Sequence, residues 1–350
     1  MNSRVSKLAS DLSESQSILV TKPANVRYLC GYSGSNGILL IASNGATLFT
    51  DSRYAISASH ETFDVDLNIS GDLFDSASKQ VSTSELLIEA NDLRVATFNR
   101  LKSLLVNCEL VETSGVVEAL RVIKDDVELN LIATACEIST TALARLTTSS
   151  LIGMTELEIS RKLESEMLSL GADAIAFETI VASGPNSAIA HHQPTGRKLE
   201  SGEFLKIDFG AKVSGYHSDC TRTFIAGVPA TWQTELYEQV LLAQSASRGV
   251  LRHGVSLPEV VAPTISQFEA SGYLNKFGHG LGHGVGLEIH EDPFLSAKSP
   301  ATLSRGTVIT VEPGLYLENQ GGVRIEDTVV VTESGYENLT KFSYELQQIS

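Results

Sequence analysis

The sequence predicts an α+β protein of two domains. A smaller α/β domain covers residues 1–122, and a larger one covers 123–350 with two halves, each a helix pair followed by a β region. Three observations lead there. The chain of 350 residues exceeds what one hydrophobic core commonly organises. Strand and helix patterns alternate before residue 123, whereas after it paired helical patterns precede glycine-punctuated β segments. Seven of the eight histidines fall between residues 191 and 290, so the chemistry concentrates in the second half.

Composition narrows the class. Hydrophobic residues make up 42% and charged residues 19%, enough for a sizeable core and unlike a disordered chain. The net charge of -16 repels phosphate backbones, which argues against a nucleic-acid partner. Cys30, Cys108, Cys136 and Cys220 form no CxxC pair, so neither a disulfide framework nor a zinc knuckle is expected. The polar start MNSRVSKLASDLSES has no apolar core region, and no apolar run approaches the roughly 18 residues of a membrane span. A cytoplasmic protein without a membrane partner is expected.

In the first domain, ILVTKP (18–23) is apolar and then turn-like. GILLIA (37–42), Asn44-Gly45 and ATLFT (46–50) read as a hairpin, because Asn-Gly supplies the positive φ of a tight turn. FDVDLNI (63–69) alternates like a strand, and residues 73–82 and 98–108 carry helical spacing. In the second domain, residues 126–147 and 155–170 are helical, with Thr155 and Glu158 spaced for a capping box. Residues 232–251 and 257–271 form a second helical pair.

The β segments after each pair carry the informative residues. FLKIDFGAKVSGYHSDCTRTF (204–224) reads as a hairpin turning at Ser214-Gly215, in which paired residue numbers sum to 429. Asp208 then faces Thr221, with Asp219 diagonal on the same face and within about 7–8 Å. Two like charges on one face repel unless a cation or a shared proton separates them; a solvated polar face is the plain alternative. GHGLGHGVGLEIHEDP (278–293) holds His279, His283 and His290. The run follows a helix and lacks a Gly-Lys-Ser/Thr, which argues against a phosphate cradle. Glu312 ends the β-branched run TVITV before Pro313-Gly314, and Glu326 falls inside the strand GGVRIEDTVVV (321–331). Buried carboxylates need a cation, a hydrogen bond or a proton, and Arg324, two residues from Glu326, offers a simple ion pair as the alternative. Four carboxylates and an imidazole together suit Mn²⁺, or Co²⁺ or Zn²⁺.

The ordered set of IDFG with Asp208, SDCTRT with Asp219, GHGLGHGVG with His283, VEPG with Glu312 and VRIEDT with Glu326 resembles the pita-bread metallopeptidases, in particular the aminopeptidase P and prolidase branch. NVRYLCGYSGSNG (25–37) and TDSRY (50–54) are similar to that branch's creatinase-like amino-terminal domain, so the resemblance covers the whole chain. It implies a carboxy-terminal pita-bread fold with pseudo-twofold halves, and two divalent metal ions, Mn²⁺ first. Asp208 would hold one ion, Asp219 and Glu326 would bridge, and His283 and Glu312 would complete the second. Glu312 would also shuttle a proton, and Thr221 would orient a ligand. His191, His279 and His290 match catalytic or substrate-binding histidines of the branch, while His192 reads as structural. Phe177 and Ile180 would line a proline pocket, with core packing as the alternative, and Arg324 would anchor substrate or ligands. The implied partners are proline-containing peptides and a second copy of the chain, met through the amino-terminal domain. Several relatives carry an arginine after the HExP motif to neutralise a dipeptide's carboxylate, and this chain has Phe294 there. The expected activity is therefore Xaa-Pro aminopeptidase, with Xaa-Pro dipeptidase as the alternative and a non-catalytic binding protein as the remote one.

Overall fold

The computed structural model describes residues 4–350; residues 1–3, where the polar start read above begins, lie outside the described residues. The chain divides into two compact units, the first ending at Arg121 and the second spanning Val122–Ser350.

In the first unit, α1 (Arg4–Ser10), β1 (Gln16–Val20) and α2 (Pro23–Cys30) precede the hairpin of β2 (Gly37–Ala42) and β3 (Gly45–Thr50). Then follow α3 (Ala55–Glu61), β4 (Asp66–Ile69), α4 (Leu73–Ser78), β5 (Glu85–Glu89), α5 (Val95–Leu104), β6 (Glu109–Thr113) and α6 (Val116–Arg121). One six-stranded sheet results, in the order β4-β3-β2-β1-β5-β6. The β1–β2 and β2–β3 pairs are antiparallel, and the others are parallel, closed by crossover helices. Leu19, Leu40, Phe49, Leu86 and Leu101 form its core. The hairpin turn lies one residue earlier than expected, at Ser43-Asn44, because the apolar run pairs through to Ala42↔Gly45. The strand expected over 63–69 shrinks to 66–69, since Asp64 takes a φ of 59° that breaks the extended chain.

In the second unit, α7 (Asp126–Thr147) and α8 (Glu156–Ser169) each open with a full capping box, Asp125 with Glu128 and Thr155 with Glu158. The strands β7 (Ala174–Ile175), β8 (Ile180–Ser183), β9 (Phe204–Phe209), β10 (Ala211–Val213), β11 (Tyr216–His217) and β12 (Cys220–Ala226) follow. The plan then recurs. Helices α9 (Thr231–Arg248) and α10 (Leu257–Ala270) precede β13 (Val308–Val311), β14 (Gly314–Leu317), β15 (Gly321–Arg324), β16 (Asp327–Val331), β17 (Tyr336–Asn338) and β18 (Gln348–Ile349). Leu143, Leu163, Ile207 and Phe224 pack the first half, and Val260, Ile309 and Val329 pack the second. Each such buried side chain contributes about 1.5–3 kcal/mol.

The central hairpin has the expected register throughout: Asp208↔Thr221 and Val213↔Tyr216 both sum to 429. It is interrupted at Gly210, where a Cβ would meet the Ser218 carbonyl at 2.0 Å, so only glycine lets the two chains approach this closely. Glu326 differs from expectation. It lies outside any strand, in the joint between β15, which pairs with β14, and β16, which pairs with β13. Its N–H donates to the Thr221 carbonyl at 3.1 Å. The chain changes partner there, and that turns the carboxylate inward.

Candidate metal centre

Five carboxylate and imidazole side chains from five segments of the second unit line one cavity of about 470 Å³. Asp208 comes from β9, and Asp219 from the link between β11 and β12. His283 comes from the glycine-rich run, while Glu312 and Glu326 follow β13 and β15. A Cβ on Gly282 would lie 2.2 Å from the Thr310 carbonyl, so glycine brings His283 against β13. Ligand atoms of Asp219, His283 and Glu326 all lie within 4.8 Å of one another. His283 Nε2 is 3.6 Å from Asp219 Oδ2 and 3.4 Å from Glu312 Oε1. Thr221 lies outside the cavity wall and donates its hydroxyl to Glu326 Oε2 at 2.6 Å.

Hydrogen bonding makes this an acceptor cluster. His283 Nδ1 donates to the Gly284 carbonyl at 3.0 Å, which leaves Nε2 as a lone pair aimed at the carboxylates. Burial holds the imidazole neutral, its pKa lowered to about 4. Burial, and then repulsion from Glu326, Asp208 and Glu312, pushes Asp219 well above the usual carboxylate range. Glu326 rises for the same reasons, with Glu312 its strongest neighbour. Glu312 is pushed up to about 8 by burial and Asp208. Asp208 Oδ1 is buried without a hydrogen-bond partner. Oxygen and imidazole acceptors that repel one another around an orphaned carboxylate oxygen fit divalent cations.

Arg324 is buried beside this cluster and pairs with Asp208, where the sequence alone suggested Glu326. It also donates to Thr221 Oγ1 at 3.1 Å, to the Ala190 carbonyl at 3.1 Å and to Tyr316 Oη at 2.7 Å. Four of its five N–H groups are engaged within the protein. His279 lines the cavity, yet both ring nitrogens are engaged. Nδ1 donates to the Gly280 carbonyl at 2.7 Å, and Nε2 meets Tyr316 Oη at 2.9 Å. Tyr316 is thus the side-chain partner of His279 in the cavity wall. His191 and His290 line the cavity, and the His290 ring stands edge-on to His283 at 4.4 Å. Phe177 and Ile180 also line it, together with Ile289 and the half-exposed Phe294.

His192 points away to a hub that residue spacing did not reveal. The Glu156 side chain is completely buried and takes six hydrogen bonds. Ser183 N, Ser183 Oγ and Asn186 Nδ2 donate to Oε1 at 2.8–2.9 Å. His192 Nε2, Thr195 N and Thr195 Oγ1 donate to Oε2 at 2.7–2.9 Å. The only local signal for Glu156 was its place beside the Thr155 cap, which predicts a solvated helix start. Burial alone would raise its carboxyl, but these donors lower it from 4.5 to about 2. A folded value below the unfolded one stabilises fully above pH 4.5, and the gain is lost as pH falls towards 2. We expect Glu156→Gln to cost about 3 kcal/mol at neutral pH, with the difference from native closing between those limits. Urea unfolding of both proteins from pH 6 to pH 3 checks this; a difference independent of pH would count against it.

Comparison with known proteins agrees with this picture. The model of metallopeptidase family M24 matches residues 130–333, and that of the creatinase/prolidase N-terminal domain matches residues 4–123. The Xaa-Pro dipeptidase of Pyrococcus furiosus is 35% identical over 350 residues, covering 99% of this chain and 100% of that protein. The solved Xaa-Pro dipeptidase of Bacillus anthracis is 36% identical, with a TM-score of 0.95 and 99% of each chain covered. The X-Pro aminopeptidase of Thermotoga maritima MSB8 is 34% identical, with a TM-score of 0.92 and 99% of each chain covered. The fold is thus the pita-bread architecture behind a creatinase-type domain. The family implies divalent metal ions, and the Asp219, His283 and Glu326 cluster suits them. Among the described residues no helix is long and apolar enough to cross a membrane. With the cluster, the cavity and these matches together, the chain belongs to metallopeptidase family M24, on its aminopeptidase P and prolidase branch, and is by family a metallo-exopeptidase.

Proposed function

We propose that the enzyme is an Xaa-Pro dipeptidase that hydrolyses the bond preceding proline, with two divalent ions, Mn²⁺ first. The observation that carries the reading is the convergence of acceptor-only atoms from Asp219, His283 and Glu326 in a cavity with an apolar wall. In this reading Asp208, Asp219, His283, Glu312 and Glu326 would hold the two ions between them. When bound, such ions lower the pKa of a water and polarise the scissile carbonyl. The chain's own residues do the rest. Glu312 takes the proton of the attacking water at its carboxylate and passes it to the proline nitrogen. Thr221 and Arg324 orient the carboxylates of Glu326 and Asp208. His191 and His290 hold the substrate, and Phe177 and Ile180 face the proline ring. A bond to proline has no N–H to recognise, so shape and apolar contact must stand in for that donor.

The relatives support the dipeptidase over the aminopeptidase expected from Phe294: the solved Bacillus anthracis protein and the Pyrococcus furiosus protein are both named Xaa-Pro dipeptidase. One observation favours the aminopeptidase. Phe294 is 53% exposed at the cavity, and Arg324, the arginine among the lining residues, is engaged with Asp208. Four free cysteines support a reducing, cytoplasmic setting, and the creatinase-type domain supports a homodimer. The test uses the full chain, stripped and reloaded with Mn²⁺ or Co²⁺ and checked as a dimer by sedimentation. We expect kcat/KM on an Xaa-Pro dipeptide to exceed that on the Xaa-Pro-Xaa tripeptide by about tenfold or more, as one charge-assisted hydrogen bond of roughly 1.5–3 kcal/mol would supply. A tripeptide preference instead selects the aminopeptidase, and cleavage of neither substrate rejects Xaa-Pro specificity.

A further inference from the structure

Lys206 lies on β9 two residues before Asp208 and on the same face, with no exposed surface. Among the described residues no carboxylate forms an ion pair with it. Its Nζ donates to the carbonyls of Ser187 at 3.0 Å, Ile189 at 2.7 Å and Ala190 at 3.4 Å, and lies 5.0 Å from the centre of the Tyr316 ring. Burying an amine is unfavourable unless its N–H groups find acceptors. An apolar β-branched side chain would fill this strand position without that cost. All three acceptors lie where the 3-10 helix Gly184–Ala188 ends in the 187–190 turn, which leads directly into His191. Arg324 grips the same Ala190 carbonyl while holding Asp208. On the far side, Glu156 holds Ser183, Asn186, His192 and Thr195. Main chain on both sides of His191 is therefore tied down by buried charged groups, whereas Ile189 between them is half exposed.

We propose that Lys206 is a positioning residue that ties the 187–190 turn to the strand carrying Asp208 and so sets the His191 imidazole in the cavity. This deepens the reading above and rests on it for the contact of His191 with substrate. The test compares native, Lys206→Met, His191→Ala and the double variant as full-length, Mn²⁺-loaded protein. Two readouts are taken: hydrogen exchange over residues 184–192, and kinetics on an Xaa-Pro substrate. In Lys206→Met we expect exchange in that segment to quicken about tenfold or more, with β9 and β12 unchanged. We expect kcat/KM to fall roughly 10- to 100-fold, mostly through KM, at native metal content. Acting through His191, the substitution should add little to His191→Ala, so the double variant should match the single one. Unchanged exchange, or losses that multiply in the double variant, would overturn the proposal. Should native enzyme cleave no Xaa-Pro substrate, the functional reading fails while the exchange comparison still decides the role of Lys206. If Lys206→Met does not fold, Lys206→Gln is read in the same way, and loss of folding in both assigns the amine to the fold at large and overturns the proposal.

Discussion

Asp219→Asn is expected to lose bound metal and at least about 10³ in kcat/KM, because several kcal/mol of Lewis-acid stabilisation at 1.36 kcal/mol per decade amounts to that much. The same change should make the metal-free protein more stable. Burial, and then repulsion from Glu326, Asp208 and Glu312, pushes the pKa of Asp219 well above the usual range. Without a cation, the folded chain must either protonate it or bear the repulsion, and an amide removes both burdens. With metal the sign reverses, since the native protein then gains binding free energy that the variant lacks. Elemental analysis, steady-state kinetics and thermal unfolding with and without chelator check the three statements. We expect the chelated variant to melt a few degrees above the chelated native chain, the effect of roughly 1 kcal/mol in a domain of this size. Full metal content in the variant, or a lower melting point under chelation, would contradict the cation reading of this cluster.

Arg324→Met carries the second large effect. The guanidinium is buried, and burial disfavours its charge, yet Tyr316, Asp208, Glu312 and Glu326 hold the proton firmly in place. Removing it leaves the Asp208 carboxylate without its cation and takes one donor each from the Tyr316 hydroxyl, the Thr221 hydroxyl and the Ala190 carbonyl. Breaking a buried pair by deleting one partner costs about 3–5 kcal/mol, and that is the expected loss in the chelated protein. Bound metal should shrink the loss, because a cation beside Asp208 replaces part of the missing charge. Arg324→Lys is expected to recover little of the loss, since a point charge cannot reach four acceptors set around a planar fork. Chemical unfolding of native, Met and Lys variants with and without Mn²⁺ separates these effects. A Met variant as stable as native under chelation would show that Asp208 does not depend on this arginine.

Much of the site was legible before any tertiary information. Alternation and the Ser214-Gly215 turn set the register that brings Asp208 opposite Thr221. Capping pairs located the start of α8, and a β-branched run located the strand that Glu312 follows. These are short-range properties: turn chemistry, residue period and cap spacing act within a few residues, so a linear string carries them. The motif order supplied the family and its five ligand candidates.

What the string did not carry is the partner of each buried charge. Arg324 and Glu326 sit two apart and looked like a pair. Between β15 and β16 the chain exchanges one sheet for another, so Arg324 reaches Asp208 and Glu326 takes the Thr221 hydroxyl. Glu156 resembled a solvated helix start and is a buried hub, and Lys206, which no motif marked, is buried against the carbonyls of residues 187–190. Nor did the string carry the contact of His279 with Tyr316, thirty-seven residues on. By itself the sequence determined the elements, the register and the chemical type of the site. The tertiary structure alone decided which charge meets which, because a buried charge is governed by whatever packs within a few ångströms of it, and those neighbours come from segments tens to more than a hundred residues away.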